Sequence, residues 1–186
     1  MIVTSLFKHW EIYSEEYISC IPNNEENSIS STKQVIADKF VNKEGKEVKV
    51  KRKLRFIDSL RFMVASLDKL SSYLKIDQFV NLKKYYSGNQ LSLLLRKVTY
   101  SYHYVDSMEK IVERSLPPKE AFYSKLADES ITDEDYQYAQ TVWKEFTIAS
   151  MNDYHNLCNL SDVLLLADII FYFRNICMNY YELDSA

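Results

Sequence analysis

Few residues in this 186-residue chain have the type and spacing for chemistry. Asp162 is the one carboxylate that reads as a candidate metal ligand. A two-metal centre needs several carboxylates converging on ions about 4 Å apart. Asp168 does not supply a second, because six residues at about 100° each turn it off the face of Asp162. Placed in the first turn of an apolar helix, Asp162 also has a plainer use, as a carboxylate beside a helix N-terminus worth about 0.3–1 kcal/mol. Asp133-Glu134-Asp135 reads the same way, as an acidic first turn. The chain contains no GxSxG, P-loop or HExxH pattern. Its histidines (His9, His103, His155) and cysteines (Cys20, Cys158, Cys177) lie far apart, without CxxC spacing. A zinc site is not expected, and the thiols read as the reduced cysteines of an intracellular protein.

Two further groups could bind rather than react. Lys49, Lys51, Lys53 and Arg55 alternate with Val48, Val50, Leu54 and Phe56, giving one cationic and one apolar face at period two. Such a face can contact phosphates. Lysines also guard edge strands against pairing, which is the simpler use. Asp58-Ser59 stands between a strand pattern and a helix pattern, as an N-cap does, and a capping serine there can present N–H groups to a phosphate. Tyr100, Tyr102 and Tyr104 flank Ser101 and His103. They can stack on bases or pack between helices.

The elements that must position these groups follow from pattern. Two glycines and three prolines favour long helices over tight turns. Leu6, Phe7, Trp10 and Tyr13 suggest a short amphipathic helix, and 18–22 a strand ending in the turn Pro22-Asn23-Asn24. The runs 33–41 and 46–56 form a hairpin across Asn42-Lys43-Glu44-Gly45, where glycine accepts positive φ. Helical spacing begins at Leu60, Met63, Leu67, Leu70 and Leu74, and further helices are predicted at 77–86, at 90–97, near Asp106, after the capping pattern Thr132-x-x-Asp135, and over 161–181. That last element is apolar nearly all round and is predicted to be buried in a larger body. Its longest apolar run, 163–167, reads as too short and too interrupted by Asp168 and Arg174 to span a membrane, and 1–11 holds no signal-like run. The net charge of −3 confines any nucleic-acid contact to a local patch.

Four stretches together resemble the exonuclease region of family B DNA polymerases of the protein-primed organellar, viral and Polinton-transposon type. They are Leu54-Arg55-Phe56-Ile57-Asp58-Ser59-Leu60-Arg61-Phe62-Met63 with Ser66-Leu67-Asp68-Lys69-Leu70, then Tyr102-His103-Tyr104-Val105-Asp106-Ser107. The third is Leu116-Pro117-Pro118-Lys119-Glu120-Ala121-Phe122-Tyr123 with Asp133-Glu134-Asp135-Tyr136 and Val142-Trp143. The fourth is Asp153-Tyr154-His155-Asn156-Leu157 with Asp162 to Asp168. The resemblance spans about 18–186, leaving 1–17 as a divergent segment. It implies an RNase H-like 3′–5′ exonuclease domain with two divalent ions, Mg²⁺ or Mn²⁺. Ser59, Leu60 and Met63 match the motif that touches the single-stranded primer end, and Asp162 matches the metal-binding aspartate of a Tyr-x3-Asp motif.

The sequence departs from that family in places. Cys158 stands where the motif has its tyrosine, and a thiol cannot supply the phenol hydrogen bond to the attacking water. Ser101 stands where the family has proline after an aromatic residue. The Asp-x-Glu and Asn…Asp motifs and the palm motifs are not in this sequence. The expectation is therefore an α+β chain, a partial exonuclease domain of antiparallel hairpin and helices. Its lineage is DNA-directed DNA polymerase and its own metal site incomplete. Expected partners are a single-stranded DNA end, a terminal protein, and further copies through exposed apolar surface, with no membrane. The rival expectations are a non-catalytic nucleic-acid- or protein-binding module, or a relic of a decayed gene.

Overall fold

The structure is a computed structural model that describes residues 18–22, 28–57, 63–125 and 128–182. The fold is α+β, an antiparallel sheet followed by helices. The chain divides into two units, Met1–Val64 and Ala65–Ala186. That boundary falls inside the span the resemblance treats as one domain. The amphipathic pattern before 18, the turn at Asn23-Asn24 and the Asp58-Ser59-Leu60 segment lie outside the described residues.

Among its described residues the first unit holds three antiparallel strands in the order β1-β2-β3: β1 Ile18–Pro22, β2 Ser28–Val41 and β3 Glu47–Ile57. The predicted turn closes the β2–β3 hairpin. The Asn42 amide donates to the Lys46 carbonyl at 2.9 Å, its carbonyl accepts from the Gly45 amide at 3.0 Å, and its Oδ1 accepts from the Glu44 and Lys46 amides at 3.0 and 2.9 Å. Gly45 takes φ +78°, which an L residue adopts only with strain. A bulge between Ile36 and Asp38 inserts one residue opposite Lys51. It has a purpose in pattern: Val35 and Phe40 differ by an odd number of positions, and the extra residue places both on the face of Val48, Val50, Leu54 and Phe56. That apolar face is not buried. Arg52 interrupts it, and Val50, Leu54 and Phe56 stay 36–46% exposed.

The second unit is helical. Its helices are α1 Leu67–Ser72, α2 Leu82–Tyr85, α3 Gly88–Leu94, α4 Met108–Ile111, α5 Asp133–Glu145 and α6 Met151–Tyr181, with 3-10 turns at Ile76–Gln78 and Lys119–Phe122. Helices α1, α2 and α4 pack on α6, and α3 bridges α2 and α5. Thr132 caps α5 as predicted, accepting from the Asp135 amide at 3.1 Å.

Several predicted elements differ. The helical spacing that begins at Leu60 gives, among the described residues, a helix only over Leu67–Ser72, capped by Ser66, whose hydroxyl accepts from the Lys69 amide at 3.3 Å. The single helix over 77–86 is instead a 3-10 turn and a separate short helix, for a reason that lies in α6 (below). Helix α6 starts ten residues earlier than predicted, at a second capping pattern, Ser150-x-x-Asp153, whose serine accepts from the Asp153 amide at 3.3 Å.

Helix α6 is the spine of this unit. Met151, Tyr154, Leu157, Cys158, Ser161, Leu164, Leu165, Asp168 and Ile169 are buried, a stripe recurring at three and four residues. Around it cluster Phe79, Leu82, Leu94, Val98 and Val142. The stripe stops at Ile169. Beyond it Phe171, Met178, Tyr180 and Tyr181 are exposed, as is Val163 on the opposite face, so the predicted all-round burial does not hold. By length and composition alone α6 is apolar enough to cross a membrane, contrary to the reading of 163–167; its buried stripe gives that apolarity a use inside this unit.

Candidate functional site

Asp162 lies about three turns into α6, not in its first turn, so its place owes nothing to the helix N-terminus. Its Oδ2 is 3.7 Å from the Lys97 ammonium, and its Oδ1 is buried with no hydrogen-bond partner. Burial pushes its carboxyl above the ordinary carboxylate range, and the opposing pull of Lys97 does not cancel that at so long a contact. For Lys97, burial acts to lower the pKa and is outweighed by Tyr102 and Asp162, which hold the ammonium above its usual value. The pair is thus unequal: Lys97 gains from it, whereas Asp162 keeps a net desolvation penalty.

Segment 97–102 faces α6 along this strip. Tyr100 Oη lies 3.0 Å from His155 Nδ1, and Asn159 Nδ2 lies 2.8 Å from His155 Nε2. The Tyr100 ring stacks on Tyr154 at 6.1 Å and meets Tyr102 edge-on at 5.0 Å. Tyr102 is 61% exposed, with the Lys97 ammonium 5.5 Å from its ring centre. Of the three alternating tyrosines, Tyr100 and Tyr104 are engaged in packing, and Tyr104 donates to Glu113 at 2.9 Å. Tyr102 is the one left open to stacking. A cleft of about 290 Å³ opens beside it, with Arg96 and Lys97 set against Asp68 and Asp135 in its wall. Arg96 is bound to Asp135 at 2.5 Å and covers the Tyr138 ring at 4.2 Å, so the cleft is charge-balanced.

Cys158 sits one turn before Asp162, 4% exposed. Burial, with Asp162 adding to it, pushes the thiol up to about 12. It is a packing thiol, not a nucleophile. Tyr154 is fully buried and donates to the Thr99 carbonyl at 2.7 Å; burial drives its phenol pKa far upward.

Asp168 is fully buried on the core side of α6. Its Oδ1 accepts from the Asn81 amide at 2.7 Å and from Asn81 Nδ2 at 3.0 Å, and its Oδ2 accepts from the Leu82 amide at 3.0 Å. This carboxylate caps α2 from 87 residues away and explains why the predicted helix over 77–86 breaks at Asn81. No local pattern announces such a tie.

Among the described residues no group of three His, Cys, Asp or Glu side chains is placed to hold a metal ion. The charged group paired with Asp162 is the Lys97 ammonium, not a second carboxylate. The described residues therefore do not make up a two-ion site. Met63, predicted to touch a primer strand, is 7% exposed. Lys49, Lys51, Lys53 and Arg55 stand exposed on one face of β3, in a different unit from Asp162.

No family model, curated protein or solved structure matches the chain.

Proposed function

We propose that the chain is part of the proofreading exonuclease region of a family B, protein-primed-type DNA-directed DNA polymerase, a partial RNase H-like domain without a complete active site. In this reading Asp162 is one ligand of a Mg²⁺ or Mn²⁺ site whose other ligands belong to motifs this sequence lacks. Ser59 and Leu60 contact the single-stranded primer end. A terminal protein and the rest of the polymerase are its partners.

One observation carries the reading. Among the described residues, two buried side-chain atoms have no hydrogen-bond partner, Ser101 Oγ and Asp162 Oδ1. Both fall at positions the resemblance singles out. Ser101 stands where the family has proline, which has no side-chain polar atom to satisfy. Asp162 stands where the family has a metal ligand, and its Oδ1 is without a donor while Oδ2 faces Lys97. Buried orphans cost about 1–3 kcal/mol and are uncommon, so their coincidence with these two positions supports the assignment.

The test uses the purified chain, Mg²⁺ and single-stranded DNA bearing a photoreactive 3′-terminal nucleotide. The expected result is cross-linking within 59–63 or near Asp162, with no shortening of the DNA. Mg²⁺-dependent trimming would show a complete site. Cross-links scattered over the surface would remove the primer-end assignment.

A further inference from the structure

The exposed cations of the first unit are sorted more sharply than the sequence shows. Between 28 and 57 the chain carries nine Lys and Arg against three Asp and Glu, a net of +6 in a chain whose total is −3. Pairing places Lys39 directly opposite Lys49, and it places Ile36, Gln34 and Thr32 opposite Lys51, Lys53 and Arg55. Among the described residues one face of the ribbon therefore holds five cations and the acid Glu47, 3.4 Å from Lys39. The bulge at Ile36–Asp38 sets this sorting, since it brings Lys39 onto the face of Lys49 and sends Asp38 to the other.

Like charges directly opposite one another weaken a sheet. Guarding an edge needs one or two lysines, not a row of four on the edge strand with a fifth facing it. An anion with repeated charge lying along the row relieves that repulsion. Alternate residues on a strand are about 6.8 Å apart, so the row from Lys49 to Arg55 runs about 20 Å. That repeat is close to the separation of neighbouring phosphates on one extended nucleic-acid strand. The row is one charge wide, whereas a duplex presents two phosphate rows across a groove. The opposite face, with Val50, Leu54 and Phe56, carries no comparable row.

We infer that the β2–β3 ribbon binds the phosphodiester backbone of single-stranded nucleic acid through Lys49, Lys51, Lys53, Arg55 and Lys39. Recognition is of backbone charge, without need of a 3′ end and without base readout. The inference does not rest on the proofreading reading, because it requires neither a metal ion nor a 3′ end.

The experiment measures binding of the whole chain to fluorescein-labelled oligo(dT) by anisotropy across a salt series, with a circular single strand as competitor. With about four phosphates neutralised, log K should fall against log salt with a slope of about −3, a loss of about 50-fold between 50 and 200 mM. Converting Lys49, Lys51, Lys53 and Arg55 to Gln should abolish binding and its salt slope. Converting the three lysines to Arg should keep both. Changing Lys69, Lys83, Lys125 and Lys144 to Ala, exposed cations of the second unit, should leave both in place. The Arg variant shows that a loss in the Gln variant is one of charge and not of folding. Circular DNA should compete as well as linear DNA, which separates this site from a primer-end site. Retained binding in the Gln variant, failure of the circle to compete, or duplex bound as tightly as single strand would overturn the inference. So would preference for phosphatidylserine vesicles over DNA.

Discussion

Asp168→Ala removes the acceptor of three hydrogen bonds and leaves the Asn81 and Leu82 amides facing a cavity in a fully buried site. A hydrogen bond to a charged group contributes about 1.5–3 kcal/mol, but bonds sharing one carboxylate are not additive. Each buried amide left without an acceptor costs about 1–3 kcal/mol, so a loss of about 3–5 kcal/mol is expected here. Asp168→Asn is the sharper variant. Its amide oxygen can keep the two bonds from Asn81, while its NH₂ replaces Oδ2 and opposes the Leu82 amide, donor against donor. The expected loss is about 2 kcal/mol, one bond and one unsatisfied group. Urea denaturation followed by circular dichroism measures both, with an unchanged slope showing that stability alone has moved. In thermal melts the Ala variant should fall by about 10–20 °C. If both variants lie within about 1 kcal/mol of the parent, α2 is not held by α6 and the architecture of this unit is wrong.

Three other expectations follow from the same structure. Burial raises the Asp162 pKa, so the folded chain holds that proton more tightly than the unfolded one. The stability linked to it is complete at low pH and lost as pH rises through the folded pKa, making the ionised carboxylate a net cost at neutral pH. Asp162→Asn should therefore melt at or above the parent at pH 7, with the difference fading in acid; a clear loss at pH 7 would make Asp162 a structural residue. Ser101→Ala removes a buried hydroxyl without a partner and should raise stability by about 1 kcal/mol, and a loss of that size in urea denaturation would show the hydroxyl bonded in solution. Cys158, with its thiol pushed up to about 12, should resist alkylation at pH 8 while the half-buried Cys177 reacts, as peptide mapping by mass spectrometry will show; equal labelling would contradict the burial of Cys158.

What was legible in the sequence was local. The hairpin turn at Asn42–Gly45, the two-sided β3 and the Thr132 cap of α5 each announce themselves within a few residues. The break at Asn81 did not, because its cause is Asp168, nor did the start of α6, because Ser150-x-x-Asp153 precedes no obvious apolar run. Mistaking that start moved Asp162 into a first turn it does not occupy. The strip of Lys97, Tyr100, His155 and Asp162 is likewise a product of packing between distant segments. Patterning sorted the faces of β3 but not their burial, since alternation fixes which residues share a side and not what covers it.

The central proposal is that this chain is part of a polymerase proofreading region, and sequencing the transcript across both ends of its reading frame tests it most directly. The account predicts an upstream strand bearing Asp-x-Glu with an Asn…Asp segment after it, and palm carboxylates downstream. A frame that runs instead into sequence with none of these carboxylates contradicts it.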